Sequence, residues 1–221
     1  MNDFLASGGV VFMFVLSFLR DPLNAVVFLF TVVVAVTVHE AAHAWLANRL
    51  GDPTARLLGR ISLNPAKHLD PIGSLLFILT GFGWGKPVPV ELFNLREPMK
   101  DNAFIALAGP VSNLLMATIA ALVYAVLQDT GNFDFAIYFE IFAYINVMLA
   151  VFNLLPIPPL DGSKIYRSIL PESLYPMWDF LDGYGIFILL GLFTIGGSFI
   201  GSLVRSATNG IMRFLGFDGI F

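Results

Sequence analysis

Apolar residues run through this chain in long, nearly uncharged blocks separated by short polar turns. Crossing a bilayer's hydrocarbon core takes about 20 apolar residues in a helix, and four blocks meet that length: Leu23 to Leu50, Ala103 to Leu127, Phe135 to Leu155 and Tyr184 to Val204. The first carries no charge from Ala25 to Val38 and is closed by Gly51-Asp52-Pro53, a stop and turn signal. Only the polar turn Gln128 to Asp134 separates the second block from the third, which predicts an antiparallel hairpin. The pattern predicts an all-α polytopic membrane protein, a single domain of about four spans.

Two further apolar stretches fit the ruler poorly. Phe4 to Leu19 is marginal in length and Pro71 to Gly85 is too short, so both are expected to enter the bilayer without crossing it. Gly81-Phe82-Gly83-Trp84-Gly85 alternates glycine and aromatic residues ahead of Lys86-Pro87-Val88-Pro89-Val90, a pattern closer to a small β-hairpin than to a helix. A surface loop dipping into the headgroups is the alternative. The stretch Met1 to Leu19 lacks a basic leading segment and a small-residue cleavage site, so a removable signal peptide is not expected.

Composition supports membrane residence: 57% of the 221 residues are hydrophobic and 13% charged, with a mean hydropathy of +0.79, beyond what a soluble domain uses. The net charge of −4 and the absence of a dense basic cluster argue against a nucleic-acid partner. There is no cysteine, which excludes disulfides and thiolate chemistry. Nine of the 12 basic residues, from Arg49 to Lys100 and at Lys164 and Arg167, fall at the end of the first span and in the segments following the first and third. The positive-inside rule then turns the C-terminal end of the first span toward the cytoplasm, in the plasma membrane.

The chemistry lies in that same half of the first span. His39-Glu40-Ala41-Ala42-His43 is an HExxH pattern on a helix. Four residues advance a helix about 400°, leaving the two imidazoles one turn apart on one face, where both reach one zinc ion. Glu40, beside them, is placed to act as a general base. With 3 histidines and 5 glutamates available, such a pattern arises in roughly one shuffled chain in a thousand, and ionisable side chains inside a span are costly enough to mark function. The competing reading packs both histidines neutrally, with Glu40 in a polar network.

Catalytic zinc takes three protein ligands and leaves a fourth position for water. Asp161 is the candidate third ligand. It follows Asn153-Leu154-Leu155-Pro156-Ile157-Pro158-Pro159-Leu160, where prolines break the helix and Gly162 permits a tight turn, at the depth of the two histidines. The alternative is a helix cap acting on Ser163.

Together, HExxH in a membrane helix, the NxxPxxPxDG pattern from Asn153 to Gly162, and Ala108-Gly109-Pro110-Val111-Ser112-Asn113 resemble the site-2 proteases, intramembrane zinc metalloproteases that cleave membrane-spanning substrates. The resemblance covers about Leu23 to Val204. It implies one zinc on His39, His43 and Asp161, Glu40 as the catalytic base, and Asn153 as a substrate or oxyanion group, with a helix–helix hydrogen bond as the alternative for Asn153. The spacing leaves no room for a PDZ domain, so the chain is similar to the small, compact branch of the family. Gly83 to Val90 falls where related enzymes carry an extended element thought to align substrate as a strand.

His68, the remaining histidine, either gates zinc or substrate or simply ties a turn-rich loop. Glu140 and Asn146 read as helix-joining groups without a functional role. A proteolytically silent metal-binding or chaperone-like membrane protein is the rival function. A metal-ion carrier would need ionisable residues along several spans, which the second and fourth lack in their cores.

Overall fold

The computed structural model describes residues 22–80 and 83–217. Phe4 to Leu19 and the Gly81-Phe82 step lie outside the described residues. Eight α-helices follow in order among those residues: α1 (Pro22–Leu50), α2 (Thr54–Leu57), α3 (Pro71–Thr80), α4 (Pro98–Asp129), α5 (Phe133–Asn153), α6 (Asp161–Ile169), α7 (Tyr175–Gly183) and α8 (Gly185–Phe214). Three of them, α1, α4 and α5, are straight, long and apolar enough to cross a membrane.

The three expected spans to residue 155 are therefore helices. The second is longer than its apolar block because Pro98 opens it and Asp101 accepts from the Glu97 amide (2.9 Å), closing the first turn. The fourth is helical as well, but bent: Gly185–Leu192 and Thr194–Phe214 meet at 80°, and it counts as a span if both arms are taken together. Beside the bend the Thr194 hydroxyl donates to the carbonyl of Gly191 (2.9 Å).

The expected hairpin around residues 81–90 is corrected. Pro71–Thr80 is helical, capped by Asp70 Oδ1 accepting from the Gly73 amide (2.8 Å). What remains of strand pairing is one antiparallel bridge, Leu69 with Gly85, and no strand forms among the described residues. Pairing stops there because the His68 amide turns back to the Pro65 carbonyl and the Lys86 carbonyl is taken by Arg60.

Lipid tails are as apolar as leucine, so spans associate by close packing rather than by hiding apolar surface from water. The interior accordingly consists of small residues. Ala35, Ala44 and Ala47 of α1, Ala106, Ala117 and Ala120 of α4, and Ala136, Ala143 and Ala150 of α5 are all buried, whereas Leu23, Phe30, Leu115 and Leu122 point outward. Helix α4 packs against α1, α5 and α6, and the α4–α5 hairpin closes through Gly131 at φ 75°.

Past α1, the fully buried Asp52 ties the loops together. Its carboxylate accepts from the Thr54 amide (3.0 Å) and hydroxyl (2.5 Å), the Glu91 amide (2.8 Å) and the Asn94 side chain (2.9 Å). Burial alone would raise its pKa, but these four donors outweigh burial and hold it below the usual carboxylate range. A depressed pKa stabilises the fold above the unfolded value of about 3.9, and that contribution is lost as pH falls through the lower folded value. Asp52→Ala is expected to cost about 2–3 kcal/mol at pH 7, read as a lower Tm in detergent. An unchanged Tm would exclude this anchoring role.

Candidate metal centre

His39 and His43 stand one turn apart on α1, both buried, with ring centroids 4.6 Å apart and the rings nearly perpendicular. Asp161 reaches them from across the bundle. It is the first residue of α6, turned back over the end of α5 by the irregular stretch 154–160, where the Ile157 amide donates to Leu155 and the Leu160 amide to Ile157. Gly162 makes that turn possible, because a Cβ there would strike the carbonyls of Leu154 and Leu155.

The ligand atoms form a near-equilateral triangle: His39 Nε2 to His43 Nε2 3.0 Å, His39 Nε2 to Asp161 Oδ2 3.0 Å, and His43 Nε2 to Asp161 Oδ2 3.1 Å. The other ring nitrogens fix the tautomers. His43 Nδ1 lies 2.6 Å from the Ile105 carbonyl, which only accepts, so Nδ1 carries the proton. His39 Nδ1 lies 2.7 Å from Asn113 Oδ1, and Asn113 Nδ2 is committed to the Ala35 carbonyl (3.2 Å) and Asn146 Oδ1 (2.9 Å), so this Nδ1 also donates. In the neutral rings both Nε2 atoms are then bare lone pairs facing each other and a carboxylate oxygen, a set that repels itself unless a cation lies between.

Zinc fits that set. Two imidazoles and one carboxylate, without sulfur, are a three-ligand hydrolytic donor set. Tetrahedral bonds of about 2.0–2.1 Å separate ligand atoms by roughly 3.3–3.4 Å, a few tenths of an ångström more than the spacing here. His39, His43 and Asp161 together can hold one metal ion. The alternative for Asp161 as a cap is not what its oxygens do: Oδ2 faces the histidines and Oδ1 lies 3.6 Å from Lys164 Nζ.

Sequence reasoning missed the groups supporting this triangle. Gly109 of α4 presses against it, and a Cβ there would lie 2.5 Å from His39 Cε1 and 2.6 Å from its Nε2, and strike His43 Nε2. Asn113, fully buried, orients His39 and links α1 to α4. Asn146 accepts from Asn113 across to α4 and donates to Phe142 of its own helix (2.9 Å), the helix-joining role expected of it, and through Asn113 it also backs His39. Its signal was available: Asn146 precedes Asn153 by seven residues, two helical turns, which puts both amides on one face.

The remaining candidates are placed differently. Glu40 is partly buried on α1, with Oε1 3.8 Å from where a Cβ on Gly85 would stand, so the 83–85 backbone passes over it. Asn153 donates from Nδ2 to the Leu149 carbonyl of its own helix (3.0 Å), rather than across to another helix, and keeps a second N–H. His68, fully buried, has Nε2 2.7 Å from the Ser62 carbonyl, and its own carbonyl accepts from the Lys86 amide (2.7 Å), bonds that tie the loop.

A buried two-histidine, one-carboxylate metal site inside a bundle of membrane-length helices defines a membrane-embedded metalloenzyme. Comparison with known proteins gives the family. The model of peptidase family M50 matches residues 128–177, which include Asn153 and Asp161. The chain is 35% identical over 214 residues to "Putative zinc metalloprotease YwhC" of Bacillus subtilis, covering 92% of this chain and 97% of that one. It is 31% identical over 144 residues to "Putative zinc metalloprotease Rip2" of Mycolicibacterium smegmatis, and over 146 residues to the Mycobacterium tuberculosis protein of the same name; it spans only 54% and 56% of their lengths. No solved structure matches the chain. The chain belongs to peptidase family M50, the site-2 protease family, and is by class a zinc metalloprotease.

Two substitutions test the centre. Gly109→Ala is expected to retain little metal while keeping its helical circular dichroism, and Asn113→Leu to bind zinc about 10- to 100-fold more weakly, the usual cost of losing a ligand's hydrogen-bond partner. Competition against a chelator of known affinity measures both. Wild-type affinity in either variant would refute the role assigned to that residue.

Proposed function

We propose that this protein is a single-domain intramembrane protease that hydrolyses peptide bonds in or near transmembrane segments of other membrane proteins, with its site toward the cytoplasmic side of the plasma membrane. The observation that carries the proposal is the buried His39-His43-Asp161 triangle on membrane-length helices, with the Glu40 carboxylate one residue from His39. The distribution of basic residues supports the orientation.

Zinc held by the three ligands supplies Lewis acidity, which acidifies water and polarises a carbonyl. Glu40 takes a proton from the attacking water and passes it to the nitrogen of the leaving amine. Asn153 offers its second amide N–H to the negative charge growing on the carbonyl oxygen.

The segment from Gly83 to Val90 presents substrate to this site as an extended chain. In support, the backbone of Val88, Pro89 and Val90 makes no hydrogen bond with the described residues, although the residues on either side do. Val88→Pro, which removes one of the N–H groups offered to a substrate strand, is expected to lower cleavage of a single-span reporter several-fold, about what one lost hydrogen bond costs. Unchanged cleavage would exclude strand addition at Val88.

Cleavage of a panel of tagged single-span reporters in detergent tests the function. Wild type is expected to cut at least one, and Glu40→Gln to cut about 100- to 10,000-fold more slowly, with about one zinc per chain in both. Zinc in both proteins and cleavage in neither would instead favour a silent metal-binding protein.

A further inference from the structure

Arg60 is a buried cation that the metal centre does not use. It is only 4% exposed and follows Gly59, which takes φ 67° to turn the chain after α2. Burying a guanidinium is costly unless its donors are satisfied. Here it spends two of them on successive backbone carbonyls, Nη1 on Pro87 (2.9 Å) and Nη2 on Lys86 (2.5 Å). Burial pulls its proton affinity below the ordinary arginine value, and the charge of Glu40 opposes that pull, so guanidinium and carboxylate lie within each other's field.

The same two residues are gripped from a second side. The Lys86 amide donates to the His68 carbonyl, while His68 Nε2 donates to the Ser62 carbonyl, two residues beyond Arg60. Residues 60–62, His68 and Lys86-Pro87 therefore form a closed circuit of hydrogen bonds. Just ahead of it Gly85 rests on α1, where an added Cβ would lie 3.3 Å from Val36 Cγ1 and 3.8 Å from Glu40 Oε1. Just beyond it comes the unpaired backbone of Val88 to Val90.

We propose that Arg60 is a positioning residue that clamps the Lys86 and Pro87 carbonyls beside Glu40, fixing where the substrate-presenting segment starts and so which peptide bond of a substrate reaches the metal centre. The inference rests on the protease reading above. Lysine cannot replace the clamp fully: its ammonium is a point donor, whereas the planar guanidinium reaches two carbonyls at once. Glutamine removes the charge and the fork together.

The test compares wild type, Arg60→Lys and Arg60→Gln as full chains. Deuterium exchange of the peptide spanning 83–91 comes first, because it needs no substrate. Loss of the clamp is expected to speed exchange at Lys86 at least about 10-fold in Arg60→Gln, less in Arg60→Lys, with zinc content unchanged. Mass-spectrometric mapping of the cut in a single-span reporter comes second. Wild type is expected to cut at one bond, and Arg60→Gln at several neighbouring bonds with kcat/KM lowered about 10- to 100-fold, partly restored in Arg60→Lys. If Arg60→Gln does not fold, Arg60→Lys carries the same comparison against wild type. Wild-type exchange at 83–91, or an unshifted cut at wild-type kcat/KM, would overturn the clamp. A wild type that cuts nothing counts against the protease reading alone, leaving the exchange result to decide the clamp.

Discussion

Three electron-rich atoms held about 3 Å apart inside a membrane bundle are the constraint on which the rest of the structure depends. Exposed to lipid, such a group would cost several kcal/mol, and even inside protein it is tolerable only if every other polar atom on the same side chains has a partner. Helix α4 meets that requirement almost alone. It supplies the Ile105 carbonyl for His43, the Asn113 carboxamide for His39, and between them Gly109, whose missing side chain leaves the ligand atoms room to converge. From 105 to 109 to 113 these contacts recur every four residues, so one face of one helix lines the centre.

That duty explains the alanine-rich core. A helix that brings backbone within reach of two imidazoles must lie close to α1 over several turns, and larger side chains at Ala106 or Ala117 would hold it off. Asn146 carries the same requirement to a third helix: Asn113 needs an acceptor for its second N–H, and α5 supplies it. The polar path from Asp161 through His39 and Asn113 to Asn146 thus joins α6, α1, α4 and α5.

The parts legible in the sequence were those with a period or a spacing. Spans 23–50, 103–127 and 135–155 follow from uninterrupted apolar length, and the convergence of His39, His43 and Asp161 from HExxH and a proline-broken helix end. What was not legible depends on contacts between segments far apart in the chain. The motif from Ala108 to Asn113 stood out in the sequence, but nothing local tells that Gly109 presses on the histidines or that Asn113 faces His39, 74 residues away. The bend in α8 was hidden because hydropathy registers the apolar length of a helix and not its direction. Pro71 to Gly85 reads only as too short to span, and its length gives no sign that the first ten residues, capped by Asp70, form a helix of their own.

The segment after α3 shows how the site obtains rigidity outside the bundle. Gly85 lies beside Glu40, and six residues later the Glu91 amide is bonded to Asp52, twelve residues beyond Glu40 along the first helix and its turn. The ten helical steps from Glu40 to Leu50 rise about 15 Å before the turn to Asp52, and six residues of polyproline-like chain cover about 19 Å. The two paths match only if residues 85–91 run extended, and Pro87 and Pro89 hold them there by fixing φ near the polyproline value. Val90 packs against the cluster of Ala47, Leu95 and Ile105 along the way, as Leu46 and Leu50 of the helix do. Glu40 and both anchors of the segment, Asp52 and Arg60, thus belong to one short stretch of chain. The distance from the Glu40 carboxylate to the backbone of residues 85–91 is set within that stretch.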